Sequence, residues 1–238
     1  MIREARVFEN TEQLTRAVAD ESQRIALDAV LNSGRCAICL SGGTTPKSLN
    51  ETLAREYMTR MPWRQMHFFW GDERYVPKYD ERSNYRMAYE TLFNRIPVAD
   101  ANIHPMRTTL PDPGEAALSY EKTLREFFGP AVQFDLTFLG IGVEGHTASL
   151  FPGSPALSET ERSVVAVRVP ADPPQRLTLT YPVLNCSRNV FFLVEGEKKR
   201  EIIAAIRNEP EDGTSQYPAA RIRSAGRLVW FLDQAAAG

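Results

Sequence analysis

Apolar residues recur along this chain at two alternating spacings. From Thr11 to Asn32 the positions Leu14, Val18, Ile25 and Ala29 fall near helical intervals, and the run stops at Ser33-Gly34, which predicts a helix with a glycine cap at its C-terminus. Cys36 to Leu40 is short and uniformly apolar, the mark of a buried strand, and leads into Ser41-Gly42-Gly43-Thr44-Thr45-Pro46. There Thr45 is the expected N-cap and Pro46 the first helical residue, with Leu49 and Leu53 on the buried stripe. The order then repeats. Met66 to Trp70 reads as a buried strand, Gly71 to Pro77 as a polar exit loop, and Ser83 as the cap of a helix through Leu92. A third helix is predicted from about Pro113 to Phe128, with Ala117, Tyr120, Leu124 and Phe127 at helical intervals, ahead of an apolar strand that follows Phe134.

Beyond residue 160, Val164 to Val169 and Leu177 to Tyr181 read as strands, as does Asn189 to Glu195. Gly196-Glu197-Lys198-Lys199-Arg200 then opens a helix carrying Ile202, Ile203 and Ile206, and Leu228 to Leu232 is expected to close the sheet. Such alternation predicts the α/β class: a mostly parallel sheet with helices on both faces and right-handed crossovers. No internal repeat, low-complexity tract or dividing linker interrupts the chain, so residues 1–238 are expected to form one domain.

Composition narrows the function classes. With 238 residues, 43% hydrophobic and 24% charged, and a formal net charge of -2, the chain lacks both the basic excess of a nucleic-acid binder and a disordered composition. An anionic ligand must therefore be held by local cations rather than by a global field. The segment Met1-Ile2-Arg3-Glu4-Ala5-Arg6 lacks the apolar core of a signal peptide, and no run approaches the roughly 20 apolar residues of a membrane span, so a cytoplasmic address is expected. Cys36 and Cys39 lie three apart on one strand and so point to opposite faces; with no second Cys/His pair beside them, they read as buried strand residues.

The chemistry concentrates at strand exits. In the run from Phe134 to Gly153 an apolar strand breaks into Gly140, Gly142 and Gly145 within six residues, and His146 follows directly, flanked by small and hydroxyl residues. Ligands of an open parallel sheet bind beyond the carboxyl ends of its strands, and glycines there permit positive φ and close backbone approach. With an ordinary pKa near 6.5, His146 offers a neutral imidazole near pH 7, which Glu144 is placed to orient or tune. A plain structural histidine is the alternative, and it suits His67 and His104, which have no ligand partners in view. No second histidine or paired carboxylate stands at metal-ligand spacing from His146.

Ser41, Gly42, Gly43, Thr44 and Thr45 present hydroxyls and backbone N-H groups at a helix start, the arrangement of a phosphate cradle or of a simple βα turn. The turn matches neither the P-loop nor GxGxxG. Asp72-Glu73-Arg74 places two carboxylates and a guanidinium on the next exit, where Arg74 suits an anion and an acid could fix its pose; a surface salt bridge is the duller reading. Arg176 and Lys199, at the entry or exit of later strands, are suited to phosphate as a donor fork and a point charge.

These segments together resemble the 6-phosphogluconolactonase family, hydrolases of the pentose phosphate pathway related to glucosamine-6-phosphate deaminase. The likeness lies in Ser41 to Lys47, Asp72 to Pro77 with Ser83-Asn84, the Gly140 to Gly153 run, Pro174 to Thr180, and Gly196 to Lys199, in the family's order. It implies a three-layer α/β/α Rossmann-like fold and hydrolysis of 6-phospho-D-glucono-1,5-lactone without metal or organic cofactor. The implied partner is the small sugar phosphate lactone alone, with no nucleic acid, membrane or obligate protein partner. His146 then becomes the general base, Arg74 and the Gly42-Gly43 amides hold developing charge or the substrate, and Arg176 and Lys199 match phosphate contacts. One departure stands out: the family usually has Asp-Gly-His where this chain has Glu144-Gly145-His146. The alternatives are an amino-sugar-phosphate deaminase/isomerase, whose hallmark resembles Glu-Asn-Gly-His-Ile-Ala-Phe-Asn-Glu-Pro-Gly, and a catalytically silent sugar-phosphate sensor. The run Thr147-Ala148-Ser149-Leu150-Phe151-Pro152-Gly153 departs from the first, and retention of His146 argues against the second.

Overall fold

A computed structural model describes residues 2, 4–209 and 214–238, so Met1 and Arg3 of the N-terminal segment lie outside the described residues. Six strands pair throughout in parallel, in the order β1-β9-β8-β5-β2-β3: β1 (Ala5–Phe8), β2 (Cys36–Leu40), β3 (Met66–Trp70), β5 (Leu136–Leu139), β8 (Asn189–Val194) and β9 (Arg227–Asp233). Helices α1 (Thr11–Ser33), α2 (Thr44–Glu56), α3 (Asn84–Thr91), α4 (Pro113–Phe128) and α6 (Arg200–Arg207) alternate with them, and the short α5 (Tyr181–Asn185) and α7 (Gln234–Ala237) complete the α/β/α layers. Because β2 is covered on both faces, all five of its residues are buried, Cys36 and Cys39 included. Burial pushes both thiols well above their ordinary range, which leaves them inert. Among the described residues no helix is long and apolar enough to cross a membrane.

Local chemistry sets the helix boundaries. Asn10 caps α1 through its side chain, and Gly34 at φ 75° ends it, as the Ser33-Gly34 signal foretold. Ser83 accepts from the Arg86 N-H at the start of α3, and Asp112 followed by Pro113 opens α4. The α2 boundary differs from the expected one. Gly43, not Thr45, is the cap, and Lys47 N donates to the Gly43 carbonyl at 3.1 Å, so Thr45 and Pro46 sit inside the first turn.

Four further differences separate the structure from the expected order. The expected exit loop contains a short strand, β4 (Asp72–Arg74), and the strands after residue 160, β6 (Val164–Arg168) and β7 (Gln175–Leu179), are not in the parallel sheet. The three form a separate antiparallel sheet, β4-β7-β6, in which Asp72 faces Thr178, Glu73 faces Leu177 and Arg74 faces Arg176. A strand of three charged residues shows no apolar alternation, so its pairing leaves no mark in the hydrophobic pattern. Tyr181 belongs to α5 rather than to a strand. Strand β1 was not foreseen, and it pairs with β9, so β9 lies one place in from the sheet edge.

Glu73 shows why β4 tolerates charge. Its carboxylate accepts from the backbone N-H groups of Arg74, Asn84 and Tyr85, each at 2.8 Å, and from Ser83 Oγ at 3.1 Å. It thus satisfies the first turn of α3 and joins β4 to that helix. Burial pushes this carboxyl up to about 7 against the pull of those donors. Glu73→Ala should lower stability by about 3 kcal/mol in urea denaturation, because the buried Asn84 N-H and the part-buried Arg74 and Tyr85 N-H groups lose their acceptor, at about 1–3 kcal/mol for a fully buried donor.

Candidate active site

The parallel sheet has one switch point. From β2 the chain crosses to β3 on one side, and from β5 to β8 on the other, so the loops leaving β2 and β5 diverge and leave a crevice between them. Those two loops are Ser41-Gly42-Gly43 and Gly140 to His146.

On the β2 side, Gly43 adopts φ 107°, a conformation that L side chains rarely adopt, and no side chain caps α2. No acidic residue occupies the helix's first turn either. The Thr44 and Thr45 N-H groups are therefore offered, with the positive end of the helix dipole, to a ligand. Gly42 is required by its neighbour: a Cβ there would lie 1.9 Å from Asn84 Oδ1.

On the β5 side the glycines form a seat for His146. Gly142 N donates to the His146 carbonyl at 2.9 Å, and Thr147 Oγ1 to the Gly140 carbonyl at 2.8 Å. A Cβ on Gly142 would lie 2.1 Å from His146 Nδ1 and 2.6 Å from Glu144 Oε2, so the imidazole occupies the space that glycine vacates. The ring stacks on Phe151 with centroids 3.9 Å apart. Nδ1 lies 3.1 Å from Glu144 Oε1, but off the axis of a hydrogen bond, so Glu144 acts on the ring mainly through its charge. Burial pulls the imidazole below its ordinary value, outweighing the upward push of Glu144 and Asp72. Glu144 thus tunes the ring upward, as its charge dictates, but desolvation dominates. The neutral form is favoured near pH 7.

The antiparallel sheet supplies the facing charges. Arg74 and Arg176 are direct cross-strand partners, a like-charge pairing that is unfavourable unless an anion lies between or beside the guanidinium groups. Neither acid of the Asp72-Glu73-Arg74 run holds the Arg74 side chain, contrary to expectation. Glu73 takes only its backbone N-H, Nη1 donates to the Arg82 carbonyl, and Nε is buried without a partner. Asp72 is buried too, which removes the surface salt-bridge reading. Its Oδ2 accepts from Ser149 Oγ at 2.6 Å and lies 4.0 Å from Arg176 Nη1. Arg176 is the second residue of β7, at its entry, and Lys199 closes a 3-10 turn (Glu197–Lys199) on the exit from β8 to α6. Burial draws the Lys199 ammonium below its ordinary value, opposed by Glu144.

One cleft of about 210 Å³ gathers these groups. Every residue singled out in the sequence for catalysis or binding lines it except Glu144, which stands behind His146. Asn84, Ala148 and Glu195 line it as well and were given no role from the pattern. Asn84 follows the α3 cap, and the long Glu73-to-α3 contact that brings it there has no local signature. His67 and His104 lie apart from the cleft, 3.2 Å from each other and packed against Phe127.

The sequence pattern of the glucosamine-6-phosphate isomerases/6-phosphogluconolactonase family matches residues 9–230. A 6-phosphogluconolactonase of Synechocystis sp. is 43% identical over 227 residues, covering 94% of this chain and 92% of that one. A 6-phosphogluconolactonase of Mycobacterium tuberculosis is 39% identical over 217 residues, covering 88% and 87%. The crystal structure of 6-phosphogluconolactonase from Thermotoga maritima superposes with a TM-score of 0.84 at 30% identity, covering 97% of this chain and 99% of that one.

Gly142→Ala should displace the imidazole and lower turnover roughly 10²-fold, the cost of a misplacement near 1 Å. Steady-state kinetics, with circular dichroism to confirm a retained fold, check this.

Proposed function

The chain belongs to the glucosamine-6-phosphate isomerase/6-phosphogluconolactonase family, and from that premise we propose how its own residues hydrolyse 6-phospho-D-glucono-1,5-lactone to 6-phosphogluconate, a step of the oxidative pentose phosphate pathway. It is a hydrolase of the 6-phosphogluconolactonase type. The observation that carries the mechanism is a half-buried imidazole, drawn below its ordinary value by desolvation, at a cleft that also gathers Arg74, Arg176 and Lys199.

With Nδ1 buried and facing Glu144, His146 takes a proton from water through Nε2 as the water oxygen attacks the lactone C1 carbonyl. Negative charge then develops on the carbonyl oxygen, where Arg74 or the amides of the Gly42-Gly43 turn receive it. The C1-to-ring-oxygen bond breaks as the imidazolium returns its proton to the departing ring oxygen, which becomes the C5 hydroxyl. Glu144 stabilises the transient imidazolium at 3.1 Å. Lys199, Arg176 and the uncapped start of α2 hold the phosphate, a dianion needing several donors. The deaminase reading is disfavoured by the chain itself: after His146 it carries Thr147-Ala148-Ser149-Leu150-Phe151, without the Asn-Glu pair of the deaminase pattern.

Purified protein should speed the loss of freshly made lactone beyond its spontaneous hydrolysis; ammonia release from glucosamine 6-phosphate with no effect on the lactone would reverse the assignment. His146→Ala should leave the fold intact and lower turnover by roughly 10²–10⁴. Since burial lowers this imidazole, wild-type activity should persist below the ordinary histidine value and fall only as protonation removes the base. A pH profile of kcat/KM reads that limb. Lys199→Ala should weaken substrate use at limiting concentration by about 1.5–3 kcal/mol, one charged hydrogen bond.

A further inference from the structure

Ser149 is fully buried, three residues after His146, yet its hydroxyl does not face the cleft residues of its own loop. It reaches to the other sheet, where Oγ donates to Asp72 Oδ2 at 2.6 Å, while its backbone N-H donates to Thr178 Oγ1 at 3.3 Å. Asp72 and Thr178 are direct partners in the β4-β7 pairing, so Ser149 docks the loop onto one cross-strand pair. The preceding residue, Ala148, holds φ 48°, the one positive φ at a non-glycine position among the described residues. Such strain persists only where the surroundings enforce it.

The same Asp72 oxygen has a second suitor. Arg176 spends Nε on the Pro173 carbonyl at 3.0 Å and Nη2 on the Asp172 carbonyl at 3.4 Å, which leaves Nη1 facing Asp72 Oδ2 across 4.0 Å. That gap is about 1 Å longer than a direct charge-assisted hydrogen bond. Asp72 is restrained on its other side by Asn84, whose Nδ2 donates to Oδ1 at 3.3 Å and to the Asp72 carbonyl at 2.9 Å. We propose that Ser149 is a positioning residue: by engaging Asp72 Oδ2 it holds that carboxylate off Arg176 and keeps Arg176 Nη1 free for the anionic group of the substrate. Without the hydroxyl, Asp72 closes on Arg176, and an internal carboxylate competes with the ligand. The inference rests on the sugar-phosphate reading of the cleft. His146 is tied separately, through Gly142 N and through Thr147 Oγ1 to Gly140, so the effect falls on binding more than on turnover.

The test compares Ser149→Ala, Ser149→Cys and Ser149→Thr in the wild-type background and Ser149→Ala again in Asp72→Asn, reading KM and kcat on the lactone and the calorimetric Kd for 6-phosphogluconate. Ser149→Ala should raise KM and Kd roughly tenfold, the scale of one ionic hydrogen bond, with kcat changed less than about threefold. Ser149→Thr, which keeps the donor, should recover most of the loss; Ser149→Cys, a weak donor of similar size, should resemble Ala and carries the test if Ala does not fold. In Asp72→Asn, with no charge left to close on Arg176, Ser149→Ala should change Kd less than about twofold, since a coupling that depends on the carboxylate vanishes with it. Unchanged KM and Kd in folded Ser149→Ala and Ser149→Cys, or an equal tenfold loss in Asp72→Asn, would overturn the inference. Wild-type protein that binds neither 6-phosphogluconate nor the lactone would instead defeat the functional reading beneath it.

Discussion

Strands β2 and β5 lie side by side in parallel, and the chain leaves them in opposite directions. Everything at the site depends on that divergence. A crossover helix packs over each strand exit elsewhere in a parallel sheet, but where two crossovers part, the exit loops have no common cover and a ligand can approach both. One loop then delivers helix-terminal N-H groups and the other an imidazole. Each needs a glycine for a different reason: Gly43 for its φ of 107°, Gly142 because the imidazole occupies the position of a Cβ. The crevice is thus a consequence of topology, and the chemistry follows from which residues the two exits can carry.

The small antiparallel sheet solves a different problem. A parallel sheet offers loop ends and dipoles at its carboxyl edge but few rigid positions for long cationic side chains. Strands β4 and β7 provide them, placing Arg74 opposite Arg176 in fixed register. Two guanidinium groups held side by side raise each other's electrostatic energy, and the buried Asp72 relieves only part of that. In the proposed function, the remaining unbalanced positive charge is what the substrate's anionic group would neutralise. The arrangement costs stability in the empty protein and returns it as affinity, the usual relation between a preorganised site and its ligand.

The parallel sheet, its main helices and the two glycine-rich exits were legible because each rests on local rules: a short apolar run, a cap, a helical stripe. Ser83, Gly34 and the Pro113 start of α4 fell where those rules place them. The antiparallel sheet was not legible, because β4 is three charged residues whose partners lie a hundred positions away, and β6 and β7 carry the same apolar signal that parallel strands carry. The α2 cap was misplaced for a related reason. Thr45 is a good capping residue in isolation, but Gly43 is the residue whose backbone can make the turn. Asn84 and Ser149 reach the site only through tertiary contacts, Glu73 to α3 and Ser149 to Asp72, which no spacing in the sequence encodes.

Glu144, where the family resemblance leads one to expect aspartate, illustrates how the histidine's proton affinity is set. The extra methylene would matter most if the carboxylate had to grip Nδ1 along a hydrogen-bond axis. Here it stands 3.1 Å away and off that axis, with a side chain 43% exposed, so its field is partly screened by solvent. Desolvation of a ring packed on Phe151 acts without such screening and wins. The imidazole is consequently neutral in the resting cleft. In the proposed mechanism the ring takes a proton from water, and the nearby carboxylate would favour the cation that forms. A base that rests neutral and is stabilised when protonated requires both influences with unequal weights, and a longer, looser carboxylate beside a buried ring supplies that inequality.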